Sequence, residues 1–166
     1  MTVLWLASSL SAARRTAWID QLLGQPEHAR HLRETFDAVL MSRRGPDSED
    51  SRDKNHWFEF LESSFRRNEP WDQVVRRMIV ARPATPEEKG ADWFLYERRN
   101  NAQAMAEAVA PVVYGLQIKC AQCHDHLVAR EIKQAHYWGT VAAFLRSKNV
   151  DTPQGPAVSE SAIGGL

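Results

Sequence analysis

Net charge and long apolar runs are both missing from this sequence of 166 residues. Lys and Arg number 21, and Asp and Glu also number 21, so the formal net charge at pH 7 is zero. Binding to nucleic acid or to an anionic membrane depends on an excess of positive charge. No apolar stretch reaches the roughly 20 residues that cross a bilayer as a helix. The composition therefore indicates one soluble globular domain, without nucleic acid as a partner and without a membrane span.

The pattern of a secretory signal peptide is also missing. A signal peptide places basic residues before its apolar stretch, whereas here Arg14 and Arg15 follow the short apolar stretch at residues 3–6. We therefore expect no signal peptide in the N-terminal segment, residues 1–15. An exported protein could still carry its leader outside this sequence.

Cysteine is scarce, and the two cysteines present, Cys120 and Cys123, lie in one short segment. A disulfide between them would close too short a loop to constrain the unfolded chain appreciably. Two thiols at this spacing are better suited to holding a cofactor or metal, or to redox chemistry.

Alternating strand patterns and internal repeats are absent, and apolar residues instead recur at helical spacing. The spacing predicts helices near residues 17–23, 32–40, 57–65, 70–79, 101–118 and 132–147. Pro111 is expected to kink or divide the fifth of these, because it lacks a backbone N–H. The residues predicted to face inward include Trp71, Val74, Val75, Met78, Ile79, Tyr137, Val141, Phe144 and Leu145.

Polar segments separate these helices. Residues 45–55 and 82–92 are predicted to be solvated loops, and residues 149–166, rich in Gly, Pro and small side chains, are predicted to be a flexible tail or linker. The predicted fold class is all-α: a single small domain of about six helices over residues 16–148, followed by that tail.

The segment "LQIKCAQCHDHLVA", residues 116–129, contains the chemistry-bearing motif C-x-x-C-H, formed by Cys120, Cys123 and His124. Two thiols separated by two residues can form thioethers with the two vinyl groups of a porphyrin, and the following histidine then supplies the proximal nitrogen ligand of the iron. The motif therefore favours covalent attachment of haem c.

Three other interpretations of this segment stay open. Cys120, Cys123, His124 and His126 are four nominal ligands for zinc, although zinc sites usually draw on two separated pairs. A C-x-x-C redox pair usually opens a helix after a strand, whereas a helix comes first here. A chance cluster of cysteines is the remaining interpretation.

A second axial ligand would decide the chemistry of a bound haem. The candidates are His126, His136, Met105 and Met78. His126 is too close to His124 in sequence to reach the opposite face of one haem, so we expect it to be either a hydrogen-bond partner of the site or a surface residue. The two methionines are expected to fill the core. Asp125 is expected either to tune a histidine ligand or to cap a helix.

The stretch "VVYGLQIKCAQCHDH" resembles the signature of the planctomycete-type cytochrome c-like family, domain of unknown function 1549. The upstream segments "WIDQLLGQPEHARHLRETFDAVLM" and "HWFEFLESSFRRNEPWDQVVRRMI" are also similar to that family, so the resemblance covers about residues 16–147. The sequence departs from the family at Leu127 and Val128, where members usually have Pro or Lys followed by Phe. Family members are generally longer, which suggests a fragment or a shortened member.

The resemblance implies a c-type cytochrome module in an exported, multi-domain bacterial protein. Its haem c would be held by Cys120, Cys123 and His124, and its partners would be a redox protein or further domains of the same polypeptide. Periplasmic or other exported localisation follows from the resemblance alone, and no established reaction follows from it. The function expected is single-electron transfer; the alternatives are a zinc-stabilised interaction module and a peroxidase-like haem enzyme with an open iron position.

Overall fold

A computed structural model describes residues 12–42, 46–80, 88–153 and 155–162. Within them lie eight α-helices: α1 (Ala12–Leu23), α2 (Pro26–Met41), α3 (Pro46–Lys54), α4 (Trp57–Arg66), α5 (Trp71–Val80), α6 (Trp93–Tyr96), α7 (Ala102–Tyr114) and α8 (Gln134–Phe144). A 3-10 turn, Lys119–Gln122, lies between α7 and α8. All six predicted helices are present, while α3 and α6 were not predicted. None of the described helices combines the length and apolar character needed to cross a membrane.

Side chains from α2 and from α4 to α8 form one apolar core. Its fully buried members include Trp57, Phe60, Leu61, Phe94, Met105 and Tyr137. Two predicted inward residues are only partly covered, because Trp71 is 36% exposed and Leu145 is 38% exposed. Helix α1 forms as predicted, but all of its residues, including Trp18 and Leu22, are exposed.

Helix α3 corrects the prediction of a solvated loop at residues 45–55. The segment has no apolar period, so periodicity could not reveal the helix. Its acidic residues Asp47 and Glu49 lie in the first turn, and Arg52 lies in the last, which suits the helix dipole. The buried side chain of Arg52, only 1% exposed, joins α3 to the rest of the fold by ion pairs with Asp37 and Glu97.

A β-hairpin corrects the prediction of an all-α chain with an irregular tail. Strand β1 (Ser147–Thr152) pairs antiparallel with β2 (Gly155–Glu160), in a register that places Ser147 opposite Glu160. The hairpin packs on α6, where the Asn149 Nδ2 donates to the Tyr96 carbonyl at 2.7 Å. Of the Gly and Pro residues that suggested a tail, Pro153 follows β1 and Gly155 and Pro156 begin β2, where Gly155 adopts a φ of +121°.

Two predicted segments fall partly outside the described residues. Residues 1–11, which include the apolar stretch weighed as an export signal, lie outside, and so do residues 163–166 of the predicted tail. The division of the chain at residues 15 and 148 stays a prediction.

Helix α7 ends earlier than its predicted limit at residue 118. The Asn101 side chain caps its start by accepting from the Ala104 N–H at 3.0 Å, and Gly115 ends it in the left-handed conformation at φ 70°. Glycine tolerates this φ because it has no Cβ. Pro111 lies inside the helix without dividing it. Because the helix ends early, the chain changes direction at Gly115, and residues 116–118 connect α7 to the 3-10 turn in the cysteine segment.

Candidate functional site

The 3-10 turn Lys119–Gln122 carries Cys120, and Cys123 is the residue directly after it. Ile118, directly before the turn, and Ala121, inside it, are 4% and 0% exposed and fix the turn to the core. Both cysteines are exposed free thiols. The turn therefore has a buried base, and the two thiols at this segment are exposed.

The hydrogen bond of the His124 ring favours the tautomer that leaves Nε2 available to a metal. Its Nδ1 lies 2.7 Å from the carbonyl oxygen of Asp125. A carbonyl only accepts, so Nδ1 carries the hydrogen and donates it. In the neutral ring Nε2 then keeps its lone pair, and histidine ligands of metals usually have their other N–H fixed in this way.

His126 has the opposite arrangement. Its Nδ1 accepts from the backbone N–H of Ala129 at 3.0 Å and of Val128 at 3.3 Å, and its Nε2 lies 3.2 Å from the carbonyl oxygen of Gln117. Nε2 therefore carries the hydrogen and donates it to Gln117. Both ring nitrogens are occupied in holding the loop after the motif, which fits a hydrogen-bonding role, one of the two expected for this residue.

His136 also accepts at Nδ1, from the backbone N–H of Lys133 at 3.2 Å, at the start of α8. In the neutral ring its Nε2 then carries the hydrogen. Of the three histidines near the cysteines, only His124 has a hydrogen-bonded Nδ1–H and an open Nε2.

Asp125 caps α8, one of the two roles expected for it. Its Oδ1 accepts from the Gln134 N–H at 3.0 Å, and its Oδ2 pairs with the Lys133 ammonium at 3.1 Å. The Gln134 N–H holds the pKa of the Asp125 carboxyl below its usual range, and Lys133 lowers it further. Its side chain thus anchors the loop to α8 while its carbonyl orients His124.

Helix α8 also holds the 3-10 turn directly. The Gln122 carbonyl accepts from the Gln134 side chain at 3.0 Å and from the Trp138 indole N–H at 3.2 Å. Beneath the turn, the buried Tyr137 hydroxyl donates to Glu107 at 2.9 Å, and burial together with this bond raises the pKa of Tyr137 to about 12. The cysteine turn is thus fixed to α8 and, through Ala121, to the core.

Comparison with protein families gives a match over residues 5–149 to the model PSCyt2, described as a protein of unknown function (DUF1549). The chain belongs to this family. Comparison with curated proteins and with solved structures finds no match. The match includes the whole cysteine turn and its supports, so the predicted resemblance is confirmed, and the family description itself assigns no function.

The four nominal zinc ligands of this DUF1549 domain are not assembled as a zinc site. Across residues 12–42, 46–80, 88–153 and 155–162, no three side chains of His, Cys, Asp or Glu form a group that could hold a metal ion. His126 would also have to give up a backbone bond to become a ligand. The sequence spacing of Cys120, Cys123 and His124 is the C-x-x-C-H spacing of haem c attachment, in which the porphyrin supplies the other iron ligands.

In the DUF1549 domain, each candidate for a second axial ligand either is buried in the core or accepts a backbone hydrogen bond. Met105 and Met78 are 0% and 1% exposed and belong to the core, as expected. His126 and His136 both accept a backbone N–H at Nδ1. None of the four candidates presents a metal-binding lone pair beside His124.

An open groove of about 900 Å³ lies between α2, α7 and residues 117–119. Its volume is in the range of ligand pockets, yet neither thiol nor His124 lines it. Of the residues of the 3-10 turn in the DUF1549 domain, Lys119 lines the groove.

Asp92 is a buried acid that the sequence did not reveal, because it lies in the predicted solvated loop at 82–92. It is 4% exposed, and its Oδ2 has no hydrogen-bond partner among the described residues. Burial raises the pKa of Asp92 to about 7, although a hydrogen bond from the Val158 N–H opposes the shift. Residues 82–87 of that predicted loop lie outside the described residues.

Ionisation of Asp92 should make the folded protein less stable as the pH rises. The pKa of Asp92 is raised from 3.8 to about 7 in the folded protein. Between these pH values the folded state binds more protons than the unfolded state, so the free energy of unfolding falls as the pH rises. We expect this fall to amount to roughly 2–4 kcal/mol between pH 4 and 7.5 and to be absent from Asp92→Asn. Urea unfolding of both proteins at these two pH values measures the difference. An equal decline in both proteins would contradict this assignment.

Proposed function

We propose that the chain is a haem c-binding module that transfers single electrons. One observation carries the proposal: the Nδ1 of His124 lies at hydrogen-bond distance from the Asp125 carbonyl, which leaves Nε2 for the iron, and His124 directly follows Cys123 in a segment whose two thiols are free and exposed. This is the donor set that haem c attachment uses. His126 and His136, which lack the motif position, also lack this tautomer.

Each residue has a definite task in this proposal. Cys120 and Cys123 would each add sulfur and hydrogen across one vinyl group, forming two thioethers without a net oxidation. His124 would bind the iron through Nε2, and the Asp125 carbonyl would hold the ring and strengthen its basicity. When bound, the haem supplies a one-electron redox couple.

The proposal includes an exported location. Haem c is attached on the outer side of the bacterial inner membrane, and the family resemblance points to an exported protein. The partners proposed are a redox protein or further domains of the same polypeptide. Cysteines of a cytoplasmic protein would instead stay reduced and unmodified.

A haem enzyme with an open iron position is the second candidate function. It is supported by the state of the four candidate second ligands, since Met78 and Met105 are buried in the core and both histidines accept at Nδ1. A change in the visible spectrum on adding cyanide or carbon monoxide favours this function, and an unchanged spectrum favours electron transfer.

Covalent haem should depend on the two thiols and not on His126. We expect a haem-stained band on a denaturing gel when the chain is exported from a bacterium with haem-attachment machinery. Cys120→Ala combined with Cys123→Ala should abolish the stain, because no thioether can form.

His126→Gln is the matched control, since it should keep the stain. A zinc module would instead give no stain in any variant and one equivalent of zinc by elemental analysis. It would also lose zinc on His126→Gln, and that pattern would contradict the haem proposal.

A further inference from the structure

Leu127 and Val128 form an exposed apolar pair directly after the cysteine motif. Leu127 is 73% exposed and Val128 is 87% exposed. Single exposed apolar residues are ordinary on a protein surface. Here two such residues are adjacent, and the backbone beside them is hydrogen-bonded to the His126 ring.

Hydrogen bonds at both ends of the loop hold the pair outward. The His126 ring accepts from the backbone N–H of Val128 and of Ala129 and donates to the Gln117 carbonyl. The backbone N–H of His126 donates to the Ile132 carbonyl at 2.9 Å, and Ile132 packs against the core. The loop is therefore a rigid support for two apolar side chains rather than a collapsed segment.

Chain continuity limits what can cover this pair. Val128 follows His124 by four residues, a separation of at most about 14 Å even when fully extended. A macrocycle bound at His124 thus lies within reach of both side chains. The groove lined by Val39 also lies near the motif, but neither thiol nor His124 lines it.

We propose that Leu127 and Val128 form the apolar surface that haem c covers when it is attached to Cys120 and Cys123, with His126 as the residue that positions them. The inference rests on the proposed function. The ligand is inferred from its chemistry, because a porphyrin is a broad apolar ring and contact with apolar side chains excludes water from the ring. The iron then lies in a less polar environment, which disfavours its more highly charged oxidised form.

The test compares Leu127→Ser/Val128→Ser with Val39→Ser, which alters a groove residue that is also 73% exposed. Each is made in the haem-attached chain and in a haem-free chain carrying Cys120→Ala and Cys123→Ala. The readouts are the midpoint of thermal unfolding and, for the haem-attached chain, the reduction potential.

We expect the loop variant to leave the haem-free midpoint within about 2 °C, since both residues are exposed there. In the haem-attached chain the same variant should lower the midpoint by about 5 °C or more and make the potential more negative. Val39→Ser should leave the unfolding midpoint of both forms and the reduction potential unchanged.

An equal loss in both forms would show that the pair supports the polypeptide fold and would overturn the inference. So would the absence of any loss, or a loss confined to Val39→Ser, which would place the macrocycle in the groove. Failure of the unsubstituted chain to acquire haem is a separate result, and it overturns the proposed function together with this inference.

Discussion

Arg52→Met should lower the free energy of unfolding by about 3–5 kcal/mol, the cost of leaving buried charge uncompensated. The Arg52 guanidinium, 1% exposed, lies 3.0 Å from Asp37 and 3.3 Å from Glu97, whose side chains are 13% and 10% exposed. Methionine preserves much of the volume of arginine but none of its five donors. Two carboxylates would then be left buried near each other.

The same substitution removes the cap of α2. Arg52 donates to the Met41 carbonyl at 3.0 Å and to the Ser42 carbonyl at 3.2 Å, so these two carbonyls lose this donor. The loss adds to the cost of removing the guanidinium from beside Asp37 and Glu97, and it lies where α2, α3 and the residue after α6 meet.

Urea unfolding followed by circular dichroism measures the effect. Arg66→Met is the matched control, because Arg66 is 62% exposed and pairs with Glu62 across one helical turn. An exposed pair of this kind contributes less than about 1 kcal/mol. A cost below about 1 kcal/mol for Arg52→Met would show that the buried cluster does not hold the helices together.

Gly90→Ala should destabilise the fold by about 3 kcal/mol or more. Gly90 has a φ of +92°, where a side chain is strained. A Cβ there would overlap the His56 carbonyl oxygen and lie 2.5 Å from its carbon and 3.0 Å from the Trp57 nitrogen. These are backbone atoms, so no side-chain rotation relieves the overlap.

Gly139→Ala is the opposite case on the same chain. A Cβ at Gly139 meets nothing within 4 Å, and the residue lies inside α8. Alanine is favoured over glycine in a helix by about 1 kcal/mol, so this variant should be slightly more stable than the unsubstituted protein. Thermal unfolding of the two variants side by side tests both expectations, and equal midpoints would contradict the close approach at Gly90.

Local pattern explains which parts of the fold could be predicted. The six predicted helices have apolar residues at helical spacing, and that spacing is visible in sequence. Helix α3 has no apolar spacing, because the buried side chain among its described residues is the charged Arg52. The ion pairs of Arg52 with Asp37 and Glu97 join residues that are 15 and 45 positions away in sequence. The hairpin was missed for a related reason: its strands are half-buried against α6 and show no clean alternation.

The candidate site divides in the same way. The spacing of Cys120, Cys123 and His124 is local, so the motif could be recognised from sequence alone. The difference between His124 and His126 could not, because it depends on which carbonyls and N–H groups the fold places around each ring. The burial of Asp92 beside β2 was equally invisible, since Val158 lies far along the chain.

The most direct test of the haem proposal is the intact mass of the exported chain under denaturing conditions, measured after treatment with a thiol-alkylating reagent. We predict a mass increased by one haem, with no alkylation, because both thiols would be thioethers. A chain that carries two alkyl groups and no haem would contradict the proposal.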